Sequence, residues 1–483
     1  MDNYKPIVDH LESNLADYAM KSFDSETFID GGEIFKYYND LWAKEGENKK
    51  LINRTPIQHQ RDKILYSNGI RKQSEKYHIL YRDGKKIIRN YITHTMRMMQ
   101  VTRTICRALK LNEDFAEALV LGSKLGALPF IHASKGKISE WAINKIKEID
   151  FIEEKQYTNN KSKELALDDE YLPKYPQWIR QIQNQKILKQ VESYIPFASG
   201  LDINNAYSSG KQGYWLLSTN PYTVESNTNS FAPELMFGIW RHSLNSPNGV
   251  DSFHHSQKIS NAYSNYHNID WSNISYESLV VRYADDITWV IENLNDSNNA
   301  TLVNNPQNKG LFQELWDQGN FDNKLLMMGL SKRDSGKLYS YFINDFINHS
   351  TSILSKNEKE LKLRLKSGED SCLIGLSSEG EETLKFFKGF LDKRVFKENR
   401  VFHRKQMLET ITEGCIDLIY QSKDDFLKNY IESKANIEGW SEDSKRLATE
   451  LLNNDIHRIQ VAINVFSELS DQEIFSFVGM DSF

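Results

Sequence analysis

The sequence predicts an all-α, mostly helical protein, with small irregular or β elements confined to its polar stretches. Three observations carry this: apolar residues recur at three- and four-residue steps, capping residues precede several such stretches, and glycine or proline closes them. From Ile87 onward, Tyr91, His94, Met98, Val101, Ile105 and Leu109 share one face of an amphipathic helix, which puts His94 on the inner side. Asn112 is placed to cap the next helix, and Glu113 and Asp114 complement its dipole. Phe115, Ala118, Leu119 and Gly122 turn one stripe of that helix inward. The stretch Gly126-Ala127-Leu128-Pro129-Phe130 should end it, because proline disfavours helical geometry in the residue before it. Helical pattern returns from Trp178 to Tyr194, from Glu234 to His242 and from Ser278 to Leu294. An Asn-rich loop is expected from Asn295 to Asn308. Beyond Lys332 helices dominate, broken at Gly368 and at the turn Ser377-Ser378-Glu379-Gly380.

At 483 residues the chain exceeds the size of a simple single core, so a large helical body with lobes is expected. The reading divides it into an arm at 1–50, a core at 51–330 with a variable polar lobe at about 143–230, and a C-terminal helical subdomain at 331–483. With 60 basic and 66 acidic residues there is no global nucleic-acid footprint, although net charge says nothing against a local basic pocket. Cys106, Cys372 and Cys415 are scattered and odd in number, which argues against a disulfide framework or a structural zinc site. A reducing, cytoplasmic setting is expected. No apolar run approaches the ~20 residues that span a bilayer, so no membrane partner is expected.

Three motifs follow one another along the chain. The first is Arg54-Thr55-Pro56-Ile57-Gln58-His59-Gln60-Arg61-Asp62-Lys63-Ile64-Leu65-Tyr66-Ser67, with Arg71 and Lys76 beyond it. The second is Leu125-Gly126-x-x-Pro129-Phe130-x-His132-Ala133, and the third is Tyr283-Ala284-Asp285-Asp286-Ile287. In this order they resemble the HD-domain deoxynucleoside triphosphate triphosphohydrolase (dGTPase) family. Leu384 to Phe387, Val395-Phe396, Arg400-Val401 and Val465 to Asp471 are similar to C-terminal helices of that family. The similarity runs from about 51 to 475, poorly between 143 and 230, and implies an HD-domain fold for the core.

In active members of that family a helical His, an adjacent His-Asp pair and a distant Asp hold a divalent metal that activates water and polarises the α-phosphate. The products are a deoxynucleoside and tripolyphosphate. Carried over by position, the first and last ligands are His94 and Asp286, but the central pair reads Ser123-Lys124. An ammonium cannot ligate a cation and a neutral serine is a poor substitute for imidazole, so no tightly bound catalytic metal is expected, with Mg or Mn arriving only alongside a nucleotide. Lys124 should instead form an internal ion pair with Asp286 and His94, with Asp286 facing inward and Asp285 structural. The resemblance retains His132 as a proton-transfer group, whereas the family's neighbouring carboxylate becomes Lys135 and its phosphate-contacting arginine becomes Tyr91.

The resemblance also places Arg54, Gln58, Arg61, Arg71, Lys76 and Tyr91 at the nucleotide pocket or a neighbouring subunit contact. Read without it, a basic helix of this kind is usually a solvated face, and a lone His on an apolar helix face is usually a core residue. His254, His255 and His267 lack a metal-ligand spacing and read as a polar loop. The expected function is therefore a dGTPase-family pseudoenzyme that binds a dNTP, or regulates a partner, without hydrolysing it. Its expected assembly is a homo-oligomer, or a hetero-oligomer with an active paralogue or an effector. An active dNTP triphosphohydrolase with a rearranged metal site built from His94, His132, Asp286 and Asp285 stays open as the alternative.

Overall fold

The computed structural model describes residues 5–24, 54–78, 89–131, 133–142, 144, 145, 148, 201–202, 206–207, 209–218, 231–242, 274–299, 311–319, 321–355, 361–362, 365, 373–422, 427–430, 432, 452 and 455–479. The expected helix from Trp178 to Tyr194 and the histidines at 254, 255 and 267 lie outside these residues. The described part is mostly helical, with one antiparallel pair of two-residue strands, Leu201–Asp202 with Ala206–Tyr207, and an isolated antiparallel bridge between Tyr77 and Asn90. The chain divides into two compact units that interleave along the sequence: Met1–Lys124, Asn229–His242 and Trp271–Lys405 form the first, and Leu125–Thr228, Ser243–Asp270 and Gln406–Phe483 the second.

The first unit contains α1 (Lys5–Leu11), α2 (Pro56–Leu65), α3 (Asn68–Lys72), α4 (Tyr91–Ala108), α5 (Glu113–Leu125, to Lys124), α6 (Pro233–Arg241), α7 (Tyr276–Asn299), α8 (Leu311–Gln318), α9 (Lys324–Lys332), α10 (Ser335–Leu354) and α11 (Ser378–Leu391). A π-helical turn, Asp392–Phe396, leads from α11 into α12 (Asn399–Gln421), and the division between units falls inside α12. The axis of the unit is α7, which packs on α4, α8, α10 and α11. Val280, Val281, Ala284, Ile287, Val290, Ile291 and Leu294 are all buried along it. α10 and α11 both pack on α7, and residues 331–405 fall in the first unit.

Local sequence explains the helix ends. Asn90 caps α4 by accepting from Thr93 N at 3.1 Å, and Asn112 caps α5 by accepting from Phe115 N at 3.1 Å. The Asn112 amide also donates to Met20 O at 2.8 Å, while the buried Glu277 accepts from Met20 N at 2.9 Å and Asn112 N at 3.0 Å. The N-terminal segment is thereby tied to the start of α7. Thr55 and Gln58 form a capping box at α2.

One expectation at a helix end is corrected. The Asn-rich loop was to begin at Asn295, but α7 continues to Asn299. Asn293 Nδ2 donates to Trp289 O at 2.7 Å, Ser297 Oγ bonds Asn293 O, and Asp296 is held by Arg89 at 2.7 Å. These contacts override the weak helix propensity of asparagine.

The crossing of α5 and α6 depends on glycine. A Cβ at Gly122 would overlap Ile239, and one at Gly238 would overlap Leu119, so each helix lets the other's branched side chain approach its backbone. This brings the end of α6 beside the last turn of α5. Gly122→Ala is therefore expected to destabilise the protein by about 1–3 kcal/mol through overpacking, read as a lower midpoint in denaturant at unchanged slope.

In the second unit, residues 133–142 are helical, as are Ser209–Ser218, Asp455–Glu468 and Asp471–Phe477. Tyr207 Oη donates to Gly126 O at 2.5 Å, Trp141 Nε1 donates to Asp417 at 3.2 Å, and Phe130 N donates to Asp471 Oδ1 at 2.9 Å. Phe130 and Ile131 follow Pro129 with φ of 53° and 41°, a left-handed conformation that a β-branched residue rarely adopts.

Candidate functional site

A buried cluster of charge lies in the first unit, built from α4, α5, α7 and the residue that follows α6. At its centre is Asp285 of α7. Oδ2 accepts from Lys124 Nζ at 2.8 Å and from His242 Nε2 at 3.0 Å, and Oδ1 lies 3.2 Å from His94 Nε2. The side chains of Lys124, His94 and His242 are each no more than 5% exposed. A second carboxylate stands behind His94: Glu292 Oε2 lies 2.5 Å from His94 Nδ1 and is also bonded by Arg89. Arg97 Nη1 holds the other oxygen of Glu292 at 2.8 Å, and Arg89 Nε reaches Asp296 at 2.7 Å. His94 thus meets a carboxylate at each ring nitrogen, an arrangement in which both nitrogens donate only when the ring carries two protons.

The electrostatics follow from burial and pairing. Burial would raise the Asp285 carboxyl, but the Lys124 ammonium and the His242 and His94 donors hold it well below the usual carboxylate range. Burial disfavours the Lys124 ammonium, yet Asp285, with Tyr91, more than offsets this and lifts the group above its ordinary value. For His242 burial prevails and pushes the imidazole down. Glu292 is lowered because contacts with His94, Arg89 and Arg97 overcome its burial. Tyr91 lines the cluster: its ring stacks on His94 at 5.7 Å between centroids, and Lys124 Nζ lies 5.8 Å from its centre.

This geometry corrects the assignment within the Asp285-Asp286 pair. Lys124 and His94 meet Asp285, whereas Asp286 pairs with Lys388 of α11 at 2.8 Å. Adjacent residues on a helix point about 100° apart, and Asp285 shares its stripe with Trp289 and Glu292 at +4 and +7. His242, Glu292, Arg89, Arg97 and Asp296 belong to the cluster although none was singled out as a site residue. The +7 spacing of Asp285 and Glu292 could have flagged Glu292; no local signal points to His242, which arrives through the α5–α6 crossing.

The remaining sequence candidates fall into separate places. Ser123 is buried and its hydroxyl donates to Val120 O at 2.8 Å, as an ordinary helical serine does. Lys76 is buried, and Tyr91 N donates to its carbonyl at 2.8 Å, which keeps both near the cluster. Arg54, Gln58 and Arg61 gather instead at the start of α5. Arg61 bonds Asp62, Asp114 and Glu117, the Gln58 amide donates to Asp114 at 2.7 Å, and Arg54 pairs with Asp62 at 3.0 Å. Asp114 and Lys124 are ten residues apart on one helix, so the two groups are separated by about 15 Å along its axis. Arg71 is exposed on α3. Lys135 is exposed in the second unit, and His132 lies outside the described residues.

The donor set does not fit a divalent metal. Two imidazole nitrogens are directed at the Asp285 carboxylate itself, and its third neighbour is an ammonium that any cation would have to displace. Among the described residues no group of three or more His, Cys, Asp or Glu side chains is arranged to hold an ion. The arrangement can do something else: Lys124 supplies a fixed positive charge against buried carboxylate and imidazole groups, without Lewis acidity.

No family model matches the chain. It is similar to the deoxyguanosinetriphosphate triphosphohydrolase-like protein of Caldanaerobacter subterraneus subsp. tengcongensis, 37% identical over 132 residues, which is 27% of this chain and 34% of that protein. The protein of the same name from Bartonella quintana is 38% identical over 87 residues, 18% of this chain and 22% of its own length. That from Pelagibacter ubique is 34% identical over 113 residues, 23% of this chain and 28% of its own length. The chain therefore spans about a third or less of the length of these relatives. Through these segments the chain is a relative of the deoxyguanosinetriphosphate triphosphohydrolase-like family.

Proposed function

We propose that this chain is a dGTPase-related pseudoenzyme, one that binds a deoxynucleoside triphosphate, or regulates a partner, without metal-dependent hydrolysis. The observation that carries this reading is the 2.8 Å contact between Lys124 Nζ and Asp285 in a buried site. By the sequence resemblance Lys124 stands at the position of an acidic metal ligand, and an ammonium cannot ligate a cation. A nucleotide triphosphate brings several negative charges, and a buried cation with an aromatic ring beside it suits such a ligand through charge-assisted bonds. Assembly as a homo-oligomer, or with an active paralogue or an effector, belongs to the same proposal.

Calorimetric titration with each of the four dNTPs tests the binding half. The wild-type chain is expected to bind at least one, and the double variant Lys124→Met/Asp285→Asn, which keeps the cluster neutral, is expected to bind it at least ten-fold more weakly. Equal affinity in the two proteins would remove the cluster from nucleotide binding. A second reading, an active triphosphohydrolase, draws on His242, whose imidazole joins His94 at Asp285. It requires Lys124 to leave the carboxylate when metal and nucleotide arrive together.

A further inference from the structure

Residues 5–24 lie as a strap on other elements of the first unit. Ala16 N donates to Lys110 O at 3.0 Å, Tyr18 Oη to Leu109 O at 2.9 Å, and Met20 N to the buried Glu277 of α7 at 2.9 Å. Lys362 Nζ donates to Ala19 O at 3.1 Å and also pairs with Asp24. Among the described residues, the strap's buried apolar side chains are Val8, Ala16, Ala19 and Met20. A segment held by so little apolar surface, and otherwise by hydrogen bonds, opens locally before the rest of the fold does.

One carboxyl closes the strap on itself. Glu12 is 6% exposed, and it accepts from Ser22 N at 3.0 Å and from Ser22 Oγ at 2.6 Å, where Ser22 is fully buried. The charges that act on Glu12 are Asp24 and Lys21, which oppose each other and are engaged elsewhere, Lys21 with Asp17 at 3.5 Å and Asp24 with Lys362. Asp9 and His10 of α1 are exposed. Glu277 faces the strap from α7, but it is bonded to Met20 N and, at 3.0 Å, to Asn112 N. Among the described residues Glu12 therefore has no cation in ion-pair contact. A buried carboxylate served only by a hydroxyl and an amide is costly, whereas the neutral acid is not. Burial accordingly pushes the Glu12 carboxyl up to about 7.

We propose that residues 5–24 form a proton-operated clasp, closed when Glu12 carries its proton and loosened when that proton is lost. In the open strap Glu12 returns to the usual carboxylate value of about 4.3. Closing therefore binds a proton. Opening is least favoured at acid pH, rises as pH climbs from the usual carboxylate range to about 7, and is level above that. Glu277 is the anchor and Glu12 the switch.

The test is amide hydrogen exchange of the full chain at pH 5 and pH 8, corrected for the intrinsic rate at each pH and read at Ala16, Met20 and Ser22. Protection of these amides in the wild type is expected to fall at least about ten-fold between the two pH values. In Glu12→Gln, which cannot ionise, the fall should shrink to less than about two-fold, whatever the level of protection. Ser22→Ala removes the hydroxyl that serves the ionised carboxylate and should deepen the fall. Equal wild-type protection at pH 5 and pH 8, a fall that survives Glu12→Gln, or a fall that Ser22→Ala leaves unchanged would each overturn the proposal.

Discussion

Lys124→Met is expected to destabilise the protein by about 3–5 kcal/mol, the largest effect of any single substitution in the cluster. The substitution removes the ammonium that faces Asp285 and leaves a largely enclosed carboxylate with only the two imidazoles beside it. Denaturant unfolding measures the loss. The sign is diagnostic when Asp285→Asn is added: with both charges gone the double variant should recover most of the stability, because the cost lies in the stranded charge and not in the lost contact. A double variant as unstable as Lys124→Met alone would show that the pair does not act as a unit.

The second large effect is a change in pH dependence on replacing His242. Its folded-state pKa lies below the ordinary imidazole value, so at acid pH the unfolded chain binds a proton that the folded protein resists. His242 therefore costs nothing at pH 8 and lowers stability progressively as pH falls through about 6.5. Asp285 and Glu292, both depressed, act lower down: their contribution is present above the usual carboxylate range and is lost as pH falls through their folded values. Glu12 works the other way, since burial pushes it up to about 7 and its penalty is relieved on acidification. The clean measurement is thus a difference. The thermal midpoint of His242→Gln should be at or below that of the wild type at pH 8 and should gain on it at pH 5. A constant offset between the two curves would mean that His242 does not titrate on unfolding.

Much of the scaffold was legible because it is local. The face carrying His94, Met98 and Val101, the Asn112 cap and the stop before Pro129 each depend on residues within a few positions of one another, and each stands as expected in α4 and α5. The charge reversal at Lys124 was legible for the same reason, as a departure at a single motif position. Choosing between Asp285 and Asp286 needed the rotational setting of α7, which is decided by packing along its whole length. Trp289, four residues on from Asp285, stacks on Phe396 of the π-helical turn, so its burial does not choose between the two carboxylates. His242 was not legible at all, since it reaches Asp285 only through the glycine-mediated crossing of α5 and α6. The basic motif at Arg54 to Arg61 shows the converse, for its guanidinium and amide groups are taken up by Asp62, Asp114 and Glu117 of the scaffold.

In the proposed function Lys124 takes the place of metal chemistry in this site. The most direct measurement is release of tripolyphosphate from a panel of dNTPs by the purified chain, with Mg and Mn each supplied in excess. No release above the rate without protein is expected, with either metal and with every dNTP. Metal-dependent release that Asp285→Ala abolishes would contradict it and would make the chain an active triphosphohydrolase in which Lys124 moves aside.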